Sequence, residues 1–189
     1  FDLDKLEGSG VVIRRAQDTE RITTIDGVER KLNKEILVIA DKRKPVAIAG
    51  MMGAKATEVT GSTRNILLEA AVFNPVLIRR GRQNLGLQSE SAYRFERGVS
   101  LQIVELASLA ATQMIMEIAS GRLSAGKSCG THGLKSKAIL FDTKDVQRIS
   151  GAVIAKPEKK KILSGLGFGL RSKGKNKLLC KVPDFRQDI

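Results

Sequence analysis

Ile66-Leu67-Leu68-Glu69-Ala70-Ala71-Val72-Phe73-Asn74-Pro75 is the stretch from which the rest of the chain is read. Apolar residues surround a single carboxylate, and β-branched and aromatic members favour an extended segment, so the pattern predicts a buried strand over 66–73. Pro75 has a fixed φ and no N–H, which suits the first position of a helix, and Asn74 suits its cap. The helix so begun carries Val76, Leu77 and Ile78, then a basic face of Arg79, Arg80 and Arg82. Glu69 is the oddity. A carboxylate among apolar neighbours must be hydrogen-bonded, protonated or aimed into a polar cavity. Two readings stay open: a strand-edge Glu reaching solvent, and a group that reads a ligand.

Upstream, Val11-Val12-Ile13, Arg21-Ile22-Thr23-Thr24-Ile25, Ile36-Leu37-Val38-Ile39 and Val46-Ala47-Ile48-Ala49 are predicted strands. Asp26-Gly27 offers the positive-φ chemistry of a two-residue hairpin turn. Gly50-Met51-Met52-Gly53 directly follows the last of these strands. Paired glycines there let backbone N–H groups approach a ligand, or simply make a tight turn. Downstream, apolar positions at helical spacing predict a helix over 101–119, with Gly121 placed to stop it. Residues 124–136 are rich in Gly, Ser and Lys and read as a linker. A strand over 138–141, helices near 143–149 and 157–166, and two strands around Lys173-Gly174-Lys175-Asn176 follow. That β-α-α-β-β order is winged-helix-like.

The chain has 189 residues, 42% hydrophobic and 28% charged, the balance of an ordinary globular protein of one large or two modest domains. Its opening, Phe1-Asp2-Leu3-Asp4, has no initiator Met and no leader, and reads as an internal segment of a longer protein. Arg, Lys, Asp or Glu breaks every apolar stretch before bilayer length, so no membrane span is expected. Cys129 and Cys180 show no disulfide spacing, which suggests a cytoplasmic location. The formal net charge is +13, with +4 in residues 1–134 and +9 in residues 135–189. A positive field so concentrated suits a nucleic-acid partner, and a lysine-rich solvated face without a partner is the alternative.

Two arginine-rich segments, Arg79-Arg80-Gly81-Arg82-Gln83-Asn84 and Tyr93-Arg94-Phe95-Glu96-Arg97-Gly98, have the composition of phosphate contacts. Internal ion pairing through Glu96 is the other account of the second, and the favoured one. Cys129-Gly130-Thr131-His132 cannot complete a tetrahedral metal site with the chain's one His, and a linker coincidence explains it better. No Ser-His-Asp or Cys-His arrangement is available, so any hydrolysis would use a bound water, and no catalytic side chain is assigned.

Taken together, Ala47-Ile48-Ala49-Gly50-Met51-Met52-Gly53, Glu58-Val59-Thr60, Asn65 to Pro75 and Tyr93-Arg94-Phe95-Glu96-Arg97-Gly98-Val99 resemble the editing module of bacterial phenylalanyl-tRNA synthetase beta subunits. Phe1-Asp2-Leu3 and Phe185-Arg186-Gln187-Asp188-Ile189 match as well, so the resemblance covers the whole chain. It implies an α+β fold: a mixed α/β editing domain over 1–125, a linker over 126–137 and a small basic winged-helix-like domain over 138–189. The function it implies is hydrolysis of tyrosine wrongly attached to tRNA(Phe), with tRNA binding. A non-catalytic RNA-binding or domain-assembly module of the same subunit is the alternative.

By the same resemblance Glu69 reads the tyrosine phenol, Gly50, Met52 and Gly53 line the pocket, and Ser91 falls where its wall turns. Arg79, Arg80 and Arg82 are candidates for tRNA contact. Aminoacylation, with ATP and magnesium, belongs to the complete alpha2-beta2 enzyme and its alpha subunit, and Asp188 matches a magnesium ligand of the full-length subunit. This sequence departs from the family in lacking a pocket His just before Phe1 and a Thr-Asn pair further upstream. Ala54 replaces a usual Gly, and Ser89-Glu90-Ser91-Ala92 is an uncommon version, so the pocket is expected to be incomplete and its rim altered.

Overall fold

The computed structural model describes residues 1–8, 10–130 and 137–189, and the chain divides into two compact units, Phe1–Gly126 and Lys127–Ile189. Helices and sheets mix in both, an α+β fold as expected.

In the first unit, β1 (Val12–Arg15), β4 (Leu37–Ala40), β5 (Pro45–Ile48) and β6 (Met52–Gly53) form an antiparallel sheet in the order β1-β4-β5-β6. Val38 pairs with Ile48 and Ala47 with Gly53. The central strands are apolar without alternation because both faces are covered: Val38, Ile39, Val46 and Ile48 are all buried, and Ile36, Leu32, Ile78 and Leu87 complete the core around them. A separate ribbon joins β2 (Arg21–Thr23) to β3 (Glu29–Lys31). The expected hairpin is there, but not as a two-residue turn. Thr23 pairs with Glu29, so five residues connect the strands. Asp26 organises them, accepting from Thr24 Oγ1, Val28 N and the Arg30 guanidinium.

Helix α1 (Pro75–Leu85) starts where Asn74-Pro75 predicts, with Asn74 Oδ1 accepting from Val76 N at 2.9 Å. It ends on Gly86 in the left-handed region. Helix α2 (Glu90–Phe95) is capped by Ser89, and α3 (Leu101–Ala119) by Ser100. The stop of α3 comes one residue before Gly121, at Ser120 with φ 52°. Despite Glu105 and Glu117, α3 is the one described helix long and apolar enough to cross a membrane by length and composition. Two carboxylates near its ends dilute it too little to fail that test.

The predicted strand over 66–73 is not one. Among the described residues the segment has no sheet neighbour beyond an isolated bridge between Asp2 and Ile66, and most of it is exposed rather than buried. Phe1 and Leu67 exchange both backbone hydrogen bonds, at 3.0 and 2.9 Å, and Leu3 N donates to the Asn65 carbonyl at 2.9 Å. Asp2, buried, accepts from Thr63 Oγ1 at 2.7 Å. The hydrophobic pattern arises because one side of the segment packs on the core through Phe73 and Ala71, not because a sheet encloses it.

The second unit has β7 (Ala138–Asp142), α4 (Lys144–Ser150), α5 (Lys156–Gly165), β8 (Gly169–Ser172) and β9 (Lys177–Lys181). The strands pair antiparallel in the order β7-β9-β8, the β-α-α-β-β arrangement read from the sequence. Alternation along β9 buries Leu178 and Cys180 and leaves Lys177 and Lys181 outside. Thr131 and His132 of the Cys129–His132 stretch, with the rest of linker residues 131–136, lie outside the described residues; Cys129 is exposed.

Candidate functional site

An open cavity of about 710 Å³ lies in the first unit. Its floor is the β5–β6 connection. Ile48 pairs with Met52, so Ala49-Gly50-Met51 makes a three-residue hairpin turn, and Gly50 sits at φ +66°, where a side chain is strained. The tight-turn reading is met at Gly50, Gly53 lies in β6, and Gly50, Met52 and Gly53 all line the cavity.

Helix α2 clamps that turn. Ser91 Oγ donates to the Gly50 carbonyl at 3.0 Å and Ser89 Oγ donates to the Met51 carbonyl at 2.8 Å. Ser89 also accepts from Ala92 N as the helix cap. Below the turn, Phe73 and Phe95 meet with ring centroids 5.3 Å apart, and a Cβ on Gly50 would stand 3.0 to 3.3 Å from Phe73, Ile78 and Phe95. The turn therefore rests on an aromatic floor and is held from above by two hydroxyls.

Glu69 enters the same cavity from the extended segment, beside Leu68, Ala70 and Ala71. Among the described residues it has no ion-pair or hydrogen-bond partner. Glu69 is exposed to solvent, and crowding by the protein atoms around it raises its pKa above the ordinary glutamate value. Of the two readings of Glu69, the one of a carboxylate reaching solvent is therefore met, and the same carboxylate also borders the cavity. Glu90, the other carboxylate on the lining, is instead ion-paired to Arg94 at 2.9 Å and largely exposed.

Sequence reasoning placed Glu69, Gly50, Met52, Gly53 and Ser91 as site residues, and all five line this cavity. It placed Ser89 on the pocket rim but missed its role as the α2 cap that holds the Met51 carbonyl, although a Ser followed by Glu90 is a helix-start signal. It also missed the far wall, formed by Ile103, Val104, Ala107, Ser108 and Ala111 of α3. Those positions are spaced as one helical stripe.

The arginines divide. Arg79 and Arg80 are exposed and border a shallow concavity with Pro75, Val76, Gln83 and Glu96. Arg82 is turned inward, its Nε donating to Glu96 at 2.7 Å, so it serves the α1–α2 packing that Glu96 organises. Glu96 also pairs with Arg97, whose guanidinium lies 3.5 Å over the Tyr93 ring. Internal pairing is thus what Tyr93–Gly98 does.

Asp188 spends both carboxylate oxygens on Arg186, each at 2.8 Å, which lowers its pKa to about 2. Among the described residues no three His, Cys, Asp or Glu side chains gather to hold a metal. Magnesium keeps its water unless several oxygens converge, so the residues present here do not fit that ion.

Comparison with known proteins matches the B3/4 domain family over residues 1–120. The chain is 42% identical over 190 positions to the phenylalanine–tRNA ligase beta subunit of Moorella thermoacetica and 38% identical over 191 to that of Carboxydothermus hydrogenoformans. Both alignments cover all of this chain, which spans about a quarter of those relatives' length. Among solved structures, an N-terminal fragment of the phenylalanyl-tRNA synthetase beta subunit from Pyrococcus horikoshii is 15% identical with a TM-score of 0.46, over the whole of this chain and 54% of that one. The chain belongs to the B3/4 domain family and is homologous along its whole length to bacterial phenylalanine–tRNA ligase beta subunits.

Proposed function

We propose that the cavity is a proofreading pocket which, in the full-length ligase, receives the tyrosyl end of mischarged tRNA(Phe) and excludes correctly attached phenylalanine. The observation that carries this reading is Glu69: a solvent-exposed carboxylate with no ion-pair or hydrogen-bond partner among the described residues, bordering a mostly apolar hollow. An aromatic ring suits the walls. A phenol O–H suits the carboxylate, which accepts its hydrogen bond. Phenylalanine in the same place leaves Glu69 desolvated and unpaired, and a site of that kind rejects the analogue that lacks the hydroxyl.

Gly50, Met52 and Gly53 shape the floor, and Ser91 fixes it by holding the Gly50 carbonyl. In this reading a water attacks the ester carbonyl, tyrosine leaves, and the tRNA hydroxyl is restored with the tRNA's own hydroxyls assisting. Glu69 reads the ring and does not attack the ester. Exposed Arg79 and Arg80 contact tRNA phosphates, and Arg82 contributes only by fixing α1 through Glu96. ATP, magnesium and the alpha subunit belong to aminoacylation in the complete cytoplasmic enzyme, and no step of it is assigned to this chain.

The test is Glu69→Ala in the full-length ligase, with hydrolysis of tyrosyl-tRNA(Phe) and phenylalanyl-tRNA(Phe) measured side by side. A hydrogen bond to a charged group contributes about 1.5–3 kcal/mol. Selectivity for the tyrosyl ester should therefore fall by roughly 10- to 100-fold. A variant that clears both esters at the parental ratio contradicts the role.

A further inference from the structure

Gly81 lies in the interior of α1, where glycine is a poorer helix former than alanine, so the reason for it has to come from outside the helix. Its surroundings supply one. Gly81 is buried, and a Cβ built on it would stand 2.6 Å from the terminal methyl of Met51 and 3.5 Å from Ile36. The bare backbone of α1 is therefore a notch into which the Met51 methyl fits. Ile78, one turn earlier on the same face, meets the neighbouring residue of the hairpin turn, since a Cβ on Gly50 would lie 3.1 Å from its Cδ1.

Met51 cannot yield as a whole. Its N–H donates to the Ile48 carbonyl at 3.0 Å, and its carbonyl accepts from Ser89 Oγ at 2.8 Å, so its backbone is tied at both ends. The thioether alone can swing, because an unbranched side chain adapts at little cost. On one side stands Ile36, fully buried in a close-packed core. On the other, Met51 borders the cavity whose floor it helps to make. A methyl expelled from the notch finds open space in the cavity and none in the core.

We infer that Gly81 is a specificity-determining position of this site: by leaving room for the Met51 methyl, it keeps the cavity deep enough for a phenol ring. The inference rests on the reading of the cavity as a proofreading pocket. Gly81 does not touch the substrate in it and acts through Met51, as a positioning residue. A side chain at position 81 turns the thioether inward and fills part of the space that the ring needs. The effect falls on binding of the ring and leaves Glu69 and the β5–β6 turn in place.

The test is Gly81→Ala in the full-length ligase, measured against the parent, Met51→Leu and Gly81→Ala/Met51→Leu. One methylene in an apolar pocket changes discrimination by about 10- to 200-fold. For hydrolysis of tyrosyl-tRNA(Phe), Gly81→Ala should therefore lower kcat/KM by at least about tenfold, mainly through KM. Its Tm should equal or exceed the parent's, because alanine is the better helix former. Leucine is close to methionine in volume and ends one atom short of the methyl that clashes. The double variant should accordingly recover to within about threefold of Met51→Leu alone. A crystal structure of the Gly81→Ala ligase should show the Met51 thioether turned into the cavity, with α1 in its parental place.

An α1 pushed away from the turn, or a Met51 methyl still in the core, overturns the inference. So does a loss of hydrolysis that follows a lowered Tm, or one that Met51→Leu fails to rescue, since damage to the fold produces either. Glu69→Ala, run in parallel, keeps the two readings apart. If it leaves the tyrosyl-to-phenylalanyl ratio at the parental value, the proofreading role falls, and the position of Met51 in the Gly81→Ala structure still decides the wall. If it lowers that ratio while Gly81→Ala hydrolyses like the parent, the pocket stands and Gly81 has no part in its shape.

Discussion

Ser91 Oγ donates a hydrogen bond of 3.0 Å to the carbonyl of Gly50, tying the first turn of α2 to the connection between two core strands. That bond sets where the cavity floor stands. Ser91→Ala should cost about 0.5–1.5 kcal/mol, the usual net worth of a hydrogen bond, with the fold retained. Chemical denaturation measures it. A variant as stable as the parent shows that the turn holds its place without α2.

Gly50 and Gly27 both occupy positive φ, at 66° and 80°, but in different surroundings. A Cβ on Gly50 meets Phe73, Ile78 and Phe95, whereas nothing stands within 4 Å of one on Gly27. Gly27→Ala should cost about 1–2 kcal/mol from the backbone alone. Gly50→Ala should add about 1–3 kcal/mol of overpacking. Equal costs in a thermal or denaturant series would refute the packed floor beneath the turn.

How much of this was legible in the sequence depends on whether a signal is local. Asn74-Pro75 announces α1 because cap and first turn are made by the same few residues. The order of elements in the second unit is equally local, each marked by its own Gly, Pro or turn. By contrast, Ile66–Phe73 has the composition of a strand, and a strand also needs a neighbour, which no window of sequence displays. The orientation of Arg82 depends likewise on Glu96, 14 residues away at the C-cap of α2. At the site, Glu69 and the glycines could be picked out as anomalies. The α3 wall could not be joined to them without the chain's path in space.

Two carboxyls should move stability with pH in opposite senses. Asp2 has its pKa lowered, first by the hydrogen bond from Thr63, so the stability it contributes is present above the ordinary Asp value of about 3.9 and is lost as pH falls through its lower folded value. Glu69 has its pKa raised by desolvation, so its ionisation opposes folding. Stability should therefore decline as pH rises from the ordinary Glu value of about 4.3 through its higher folded value. In Tm measured against pH, Asp2→Asn should flatten the acid limb, and Glu69→Gln should remove the decline on the other side. If Glu69→Gln tracks the parent at every pH, the carboxylate is as well hydrated as in the unfolded chain.

The most direct measurement is a crystal structure of the full-length ligase soaked with tyrosine. The phenol oxygen should lie within about 2.5–3.0 Å of a Glu69 carboxylate oxygen, the ordinary range for an O–H···O bond, with the ring over the Gly50–Gly53 floor. A ring bound elsewhere, or bound in this cavity with Glu69 turned out to bulk solvent, contradicts the account.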